Sequence, residues 1–167
     1  TTDAFYYPLV LTTFWVEWRL WGMQPMGYHI VNVAFHAVNA ILLCLLLRRI
    51  GIKWSWFAGA IFALHPVHVE SVAWITELKN VQSGFFYLLS LLSYLRFLED
   101  RNRHWYVVTL LMFFLALLSK PSTVMLPVIL LLLHCWLRRS LSWQDIGSVM
   151  PFFVLSSVAA LWTIWEQ

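Results

Sequence analysis

The sequence predicts an all-α fold: a polytopic bundle of about six membrane-spanning helices, preceded by an N-terminal extracytoplasmic helix lying in the membrane interface. Of the 167 residues, 61% are hydrophobic and only 11% are charged, and the apolar residues form long runs. A soluble domain of this length could not bury so much apolar surface. The composition therefore excludes a free-standing soluble domain and indicates an integral membrane protein.

Apolar runs separated by polar interruptions are the candidate spans. They cover about residues 29–49, 54–75, 81–98, 105–119, 122–137 and 146–165. Residues 29–167 are thus predicted to form the transmembrane bundle, and residues 1–28 a juxtamembrane segment. Within that segment Trp15 and Trp18 share one helical face, while Glu17 lies on the other. This pattern is typical of a helix in the interface or of one packed on the bundle.

The distribution of basic residues predicts the orientation, because Lys and Arg in short loops are retained in the cytoplasm. With residue 1 outside, eight basic residues lie inside and three outside, namely Arg19, Lys79 and Lys120. We therefore expect a multi-pass protein of a bacterial inner membrane or an endoplasmic-reticulum-type membrane, with its N-terminal segment outside the cytoplasm.

Charge and cysteine content exclude two other classes of protein. The net charge of +3 arises from basic residues scattered between apolar runs, so there is no basic face for nucleic acid. The two cysteines, Cys44 and Cys135, each lie within an apolar run. They support neither a disulfide framework nor a paired-cysteine zinc site.

A polar stripe runs along the outer half of the first span. Its four members, spaced 3, 4 and 3, share one helical arc: His29, Asn32, His36 and Asn39. Polar side chains are costly in lipid. The stripe therefore either bonds to a neighbouring helix or lines a cavity open to the outside.

The richest chemistry lies between His65 and Asn80, at the outer end of the second span. Pro66 should interrupt the helix there, and Lys120 marks the next outer turn, which can face this segment. The outer side thus gathers cations, imidazoles and carboxylates. The candidates for substrate binding are Arg19, His29, His65, His68, Lys79 and Lys120.

Three chemistries could use these groups. A zinc site of His65, His68 and Glu70 lacks the helical His-Glu-x-x-His pattern. Ion translocation would need ionisable groups in the inner halves of the spans, which are almost wholly apolar. Transfer from a lipid-linked phosphate needs cations for the phosphate and a carboxylate as base, here Glu70, and it demands no metal or other cofactor. Alternatively, Glu70 pairs with His65, His68 or Lys120 to hold the outer turns together.

Four stretches of this sequence occur in the same order in one known family. They are Tyr7-Pro8-Leu9, Gly27-Tyr28-His29-x-x-Asn32-Val33-x-x-His36, Ala63-Leu64-His65-Pro66-Val67-His68-Val69-Glu70-Ser71-Val72-Ala73-Trp74 and Leu118-Ser119-Lys120-Pro121. Over about residues 5–137 the chain resembles the membrane portion of the transmembrane and tetratricopeptide-repeat-containing proteins and their bacterial relatives. The histidine-proline stretch is long and specific.

The resemblance implies part of a C-type glycosyltransferase fold. It implies transfer of a sugar, as in O-mannosylation, from a polyprenyl-phosphate donor to an acceptor hydroxyl on the extracytoplasmic side. Membrane lipids and a protein acceptor or partner subunits would be its partners. The catalytic acid of that fold usually lies in the first outer loop, where Asp3 is the acidic residue of this chain. We therefore expect the chain to be part of a larger protein, with an upstream span and downstream tetratricopeptide repeats.

This chain departs from the family at two positions. The family often has Arg where Tyr7 stands, and a basic pair where Leu78-Lys79 stands, so two potential phosphate contacts are missing. The departures leave two readings: an enzyme that uses Glu70 and Asp3, or a non-catalytic membrane anchor or assembly subunit.

Overall fold

The computed structural model describes residues 7–138 and 143–165, and most of these residues are helical. The helices are α1 (Pro8–Trp21), α2 (Pro25–Arg49), α3 (Ser55–Leu64), α4 (Val69–Ala73), α5 (Leu78–Asp100), α6 (Arg103–Ser119), α7 (Leu126–Arg138) and α8 (Trp143–Trp165). Short 3₁₀ turns lie at Pro66–His68, Ile75–Glu77 and Pro121–Met125. The described part of the chain contains no strand, which confirms the predicted all-α class.

Helices of membrane-spanning length occur at three of the predicted spans. Among the described residues, Pro25–Arg49, Ile75–Asp100 and Asp145–Trp165 are long and apolar enough to cross a membrane. Shorter apolar helices cover Ser55–Leu64, Arg103–Ser119 and Pro121–Leu137. The count of about six spans and the likeness to the C-type fold therefore stay predictions.

The predicted second span, residues 54–75, is not one continuous helix. Its helix ends at Leu64, and His65 has an extended backbone (φ −68°, ψ 128°). Proline disfavours the helical conformation of the residue before it, so the break at Pro66 follows from the sequence. The ten residues of α3 extend only about 15 Å, roughly half of a bilayer's hydrocarbon thickness.

An antiparallel pair, α5 and α6, forms the centre of the bundle. The turn between these helices is tight because Arg101 adopts the left-handed conformation (φ 52°) and the side chain of Asn102 caps α6. The main core lies between this pair and helices α7 and α8. Its fully buried members include Tyr94, Phe113, Leu130 and Phe152.

Helix α2 packs against α3 and α5, on the other side of the pair. Close approach to α3 is possible because residue 59 is glycine. A Cβ atom there would lie 3.1 Å from both the Ala40 carbonyl oxygen and the Cys44 Cβ. Small residues allow this kind of close helix packing in membranes.

Helix α1 packs on the bundle through a face that carries Val10, Thr13 and Glu17. Gln82 of α5 donates from Nε2 to the Thr13 hydroxyl oxygen at 2.9 Å, and Glu17 is only 3% exposed. Trp15 and Trp18 lie on the opposite face and are more than half exposed. The helix thus contacts the bundle, and its exposed tryptophans leave the predicted interfacial location open.

Candidate functional site

Between α3 and α5 the chain forms two 3₁₀ turns with the short helix α4 between them. We call these residues, 65–77, the broken segment. Val67 would bond to the Ala63 carbonyl in a continuing helix, but its N–H donates instead to Nδ1 of His65 at 3.2 Å. His65 therefore carries its own ring proton on Nε2. The Ala63 carbonyl is left in need of another donor.

Helix α2 supplies that donor and holds the broken segment in place. His36 Nε2 lies 3.1 Å from the Ala63 carbonyl oxygen, and Asn32 Nδ2 donates to the Trp74 carbonyl oxygen at 3.0 Å. Further along, Asn39 Nδ2 donates to the Val81 carbonyl oxygen at 2.7 Å. The predicted interhelical role of the polar stripe is confirmed for these three residues. In lipid, such bonds satisfy backbone groups that a broken helix exposes.

The same stripe also borders a cavity of about 280 Å³, which we call the histidine pocket. Four imidazoles line it: His29 and His36 of α2, and His65 and His68 of the broken segment. Their ring nitrogens supply the hydrogen-bonding groups of the lining. Both alternatives for the stripe, packing and cavity, are realised in one helix.

A second polar group, the lysine network, joins the broken segment to the helix pair. Lys79 Nζ lies 3.0 Å from Glu77 Oε1, and Asn80 Nδ2 donates to Glu77 Oε2 at 2.6 Å. Asn80 Nδ2 also donates to Ser71 Oγ at 3.1 Å, and Lys120 Nζ donates to Asn80 Oδ1 at 2.6 Å. Two ammonium groups and one carboxylate give this network a net positive charge, which suits a phosphate.

Glu70 projects from α4 as an exposed side chain. The described residues form no hydrogen bond or ion pair with its carboxylate. The pairing with His65, His68 or Lys120 that sequence reasoning left open is not formed, since Lys120 bonds to Asn80 instead. Glu70 is thus an accessible carboxylate on the segment that contributes residues to both polar groups, His65 and His68 to one and Ser71 and Glu77 to the other.

The remaining predicted residues lie apart from these groups. Arg19 is exposed on α1, and its guanidinium stacks on the Trp15 ring at 5.0 Å. No contact between described residues joins Arg19 to the lysine network. Asp3 lies outside the described residues. His65, His68 and Glu70 do not form a group of metal ligands in the described part of the chain.

The two positions that depart from the family behave differently. The Lys79 ammonium lies 5.7 Å from the centre of the Tyr7 ring, so residue 7 reaches the lysine network and stabilises its cation. Leu78 is fully buried and packs with Val10 and Val81. Leu78 is therefore a core residue here, and it presents no group to a phosphate.

Sequence reasoning missed two features. Glu77 and Asn80 were not among its candidates, although their spacing of three on a helical path was a usable signal. At the opposite end of the bundle, Asp145 lies 3.1 Å from His134 and 3.2 Å from Arg101. His134 is 1% exposed, and only the fold brings these three residues together.

Comparison with known proteins identifies relatives along most of the chain. Protein O-mannosyl-transferase Tmtc1 of Drosophila melanogaster is 36% identical over 122 residues, which cover 70% of this chain and 14% of the relative. Protein O-mannosyl-transferase tmtc2 of Xenopus laevis is 40% identical over 100 residues, covering 58% of this chain and 12% of the relative. The human protein O-mannosyl-transferase TMTC3 is 34% identical over 113 residues, covering 66% and 12%.

The chain thus spans between 12% and 14% of the length of these three relatives. No family model matches it. No solved structure matches it. The relatives agree with the motif resemblance and with the helices of membrane-spanning length. The chain is a membrane protein that belongs to the family of transmembrane and tetratricopeptide-repeat-containing proteins.

Proposed function

We propose that this chain takes part in protein O-mannosylation, in which a sugar passes from a polyprenyl-phosphate donor to a hydroxyl of a protein acceptor. One observation carries the proposal: Lys79 and Lys120 meet through Asn80 and Glu77, and Glu77 ends the broken segment that presents Glu70. Cations for a phosphate and an accessible carboxylate are the groups that such a transfer needs. The names of the relatives support the same reaction.

In the proposed reaction the acceptor oxygen attacks the anomeric carbon of the donor sugar. The bond from that carbon to the phosphate oxygen breaks, and the polyprenyl phosphate leaves with the electron pair. Glu70 accepts the proton of the acceptor hydroxyl. Lys79 and Lys120 stabilise the phosphate as its negative charge develops. Asp3 is a second proposed carboxylate, on the basis of the family resemblance alone.

The histidine pocket is proposed to bind the polar part of the substrates. Imidazoles exchange hydrogen bonds with hydroxyl groups, and His65 is free to donate from Nε2. His29 and His68 complete the polar lining of the pocket. Arg19, which is exposed on α1, is proposed to attract the donor phosphate from outside the network.

The proposed site faces away from the cytoplasm. Of the three basic residues assigned to the outer side, Lys79 and Lys120 belong to the site and Arg19 lies apart on α1. The distribution of basic residues assigns the other eight to the cytoplasmic side. About six spans in a C-type arrangement would place such a site at the depth of a polyprenyl phosphate head group. The membrane is proposed to be of the endoplasmic-reticulum type or a bacterial inner membrane.

A second candidate function is a membrane anchor without catalysis. It is favoured by the bonds that the lysines already make: Lys79 to Glu77, and Lys120 to Asn80. Those bonds tie the turn before α5 to the turn after α6, which is what a purely structural network would do. The alternative predicts that the network stabilises the fold and that Glu70 has no chemical role.

The two functions separate in a transfer assay with Glu70→Gln. The full chain is purified in detergent and supplied with a polyprenyl-phosphate mannose donor and a serine-rich acceptor peptide. For an enzyme, the substitution lowers the transfer rate by about 10² or more, because a general base contributes on that scale. The thermal midpoint stays unchanged, because the Glu70 carboxylate is exposed.

Asp100→Asn is the matched control, since Asp100 is an exposed carboxylate at the opposite end of α5. It should transfer sugar at the rate of the unsubstituted chain. A folded Glu70→Gln variant with undiminished turnover would eliminate the catalytic role. Absence of transfer in the unsubstituted full chain would favour the anchor.

A further inference from the structure

A cavity of about 560 Å³ opens between α2, α5 and α6 at the end of the bundle opposite the lysine network. We call it the arginine pocket. Its lining includes Leu45, Arg48, Arg49, Leu89, Arg96 and Trp105. Nothing in the proposed transfer reaction uses this cavity, and it lies at the end that the basic residues predict to be cytoplasmic.

The arginine pocket has an excess of positive charge. Arg49 is neutralised, because its Nη2 lies 3.0 Å from Glu99 Oε2. Arg48 and Arg96 are exposed, and neither forms an ion pair within the part of the chain that the structure describes. They come from different helices, yet both line one cavity. Two guanidinium groups that have no carboxylate partner among the described residues are thus available to an anion in the pocket.

The rest of the lining is arranged along the axes of α2 and α5. Leu45 precedes Arg48 by one helical turn, and Leu89 precedes Arg96 by two, so the leucines lie deeper than the charges. Leu89 is about 10 Å from the level of Arg96 along the axis of α5. Trp105 stands at the same end as the arginines, at the depth where indoles collect in membranes.

We propose that the arginine pocket binds an anionic phospholipid from the adjacent leaflet. Arg48 and Arg96 hold the phosphate through charge-assisted hydrogen bonds, and the leucine wall contacts the first part of an acyl chain. Basic pockets between membrane helices on the cytoplasmic side suit such head groups. A free phosphate ion would use the arginines but not the leucines. The site is independent of the proposed sugar transfer, and it belongs to the opposite leaflet.

The positive-inside rule alone would also place arginines at this end. The test must therefore distinguish arginines that bind a lipid from arginines that only set the orientation of the chain in the membrane. Arg103 provides the control: it is exposed at the start of α6, carries the same charge and does not line the pocket. The variants are Arg48→Gln and Arg96→Gln. Both replace exposed side chains without an ion pair, so folding should be retained.

Lipid binding is measured by native mass spectrometry of the full chain in detergent, with dioleoyl phosphatidylglycerol or dioleoyl phosphatidylcholine added. The unsubstituted chain and Arg103→Gln should retain phosphatidylglycerol in preference to phosphatidylcholine. Arg48→Gln and Arg96→Gln should each lower the affinity for phosphatidylglycerol about tenfold, the usual effect of losing one charged hydrogen bond. Glycerol 3-phosphate at the same concentration should not displace the lipid.

Three outcomes would overturn the proposal. An equal loss in Arg103→Gln would mean that only net charge matters. Equal retention of phosphatidylcholine by the unsubstituted chain would mean that the anionic head group is not recognised. Displacement by glycerol 3-phosphate at the same concentration would mean that the pocket takes a free phosphate and that the leucine wall contributes nothing.

Discussion

His36 Nε2 lies 3.1 Å from the carbonyl oxygen of Ala63, one residue before the end of α3. The contact exists because Pro66 ends that helix and turns the next N–H, that of Val67, towards His65. Pro66 of one predicted span thus leaves a carbonyl without its helical donor, and His36 of another span supplies a donor to it. Asn32 makes a second bond of this kind from α2, to the carbonyl oxygen of Trp74, which also accepts from the backbone N–H of Glu77.

Removing the Asn32 amide should destabilise the fold. Asn32 is 1% exposed and donates to the Trp74 carbonyl, so Asn32→Ala removes a hydrogen bond between α2 and the broken segment. We expect the free energy of unfolding to fall by about 1 kcal/mol, measured by denaturant titration in detergent micelles. Val33→Ala on the same helix, at a side chain that is 54% exposed, should change it by much less. Equal effects of the two substitutions would contradict the role of Asn32.

Neutralising a lysine of the network should weaken donor binding more than it slows the chemical step. Lys79→Gln and Lys120→Gln each remove a cation proposed to hold the phosphate, so the KM for the polyprenyl-phosphate donor should rise about tenfold. The kcat should change little. Initial rates at varied donor concentration measure both constants.

Lys53→Gln is the control for the two lysine substitutions. It removes the same charge, and Lys53 is exposed at the other end of the molecule. If Lys79→Gln and Lys120→Gln lower only the thermal midpoint and leave KM as it was, the lysine network is structural and the phosphate is held elsewhere.

Glu17 should make stability depend on pH. Its carboxylate is buried without a hydrogen-bond partner among the described residues, and burial raises its pKa from 4.5 to about 7. Below pH 4.5 the carboxyl is protonated in both states. As the pH rises towards 7 the unfolded chain ionises first, so the free energy of unfolding falls by about 3 kcal/mol and then stays level.

Glu17→Gln removes this titration and should flatten the pH profile of thermal unfolding between pH 5 and 8. The variant should therefore be more stable than the unsubstituted chain at pH 8, with little difference at pH 5. Glu99→Gln, which replaces a half-exposed carboxylate, should leave the slope in place. A parallel profile for Glu17→Gln and the unsubstituted chain would show that Glu17 ionises normally.

Thr76 and Asn102 should lie on opposite sides of the membrane, because only α5 separates them. Single cysteines at these exposed positions, in a chain whose Cys44 and Cys135 are replaced by alanine, are labelled in sealed vesicles with an impermeant maleimide. Thr76→Cys should react from the extracytoplasmic side and Asn102→Cys from the cytoplasmic side. Reaction of both from one side would defeat the orientation and the crossing by α5.

Much of the helical framework could be predicted from sequence, because each of the six predicted apolar runs contains a helix. The break before Pro66 was predictable for the same local reason, since proline restricts its neighbour. The direction of the α2 stripe was predictable from spacing. The partners of the stripe could not be predicted. They are the backbone carbonyls of Ala63 and Trp74, and every residue has a carbonyl, so the sequence does not show which ones are contacted.

The candidate site was predicted less completely. Lys79 and Lys120 were expected to act together. Asn80 links them by bonding to both Glu77 and Lys120, but this role depends on two turns that come together only in the folded chain. Glu17 was placed on a polar face, and such a face ordinarily points to solvent. In this fold Glu17 and Thr13 of that face point inwards, while Arg19 stays exposed.

Helix α2 makes contacts at both ends of the molecule, so its length fixes how those contacts are placed relative to one another. It bonds the broken segment near its start, and at its end Arg49 pairs with Glu99 while Arg48 faces the arginine pocket. One residue inserted between these anchor points would rotate one set of side chains by about 100° relative to the other. The number of residues between Asn39 and Arg48 is therefore under constraint even where their apolar identity is not. Ile41, which is 59% exposed, can be exchanged for another apolar residue, but the length of the stretch cannot change.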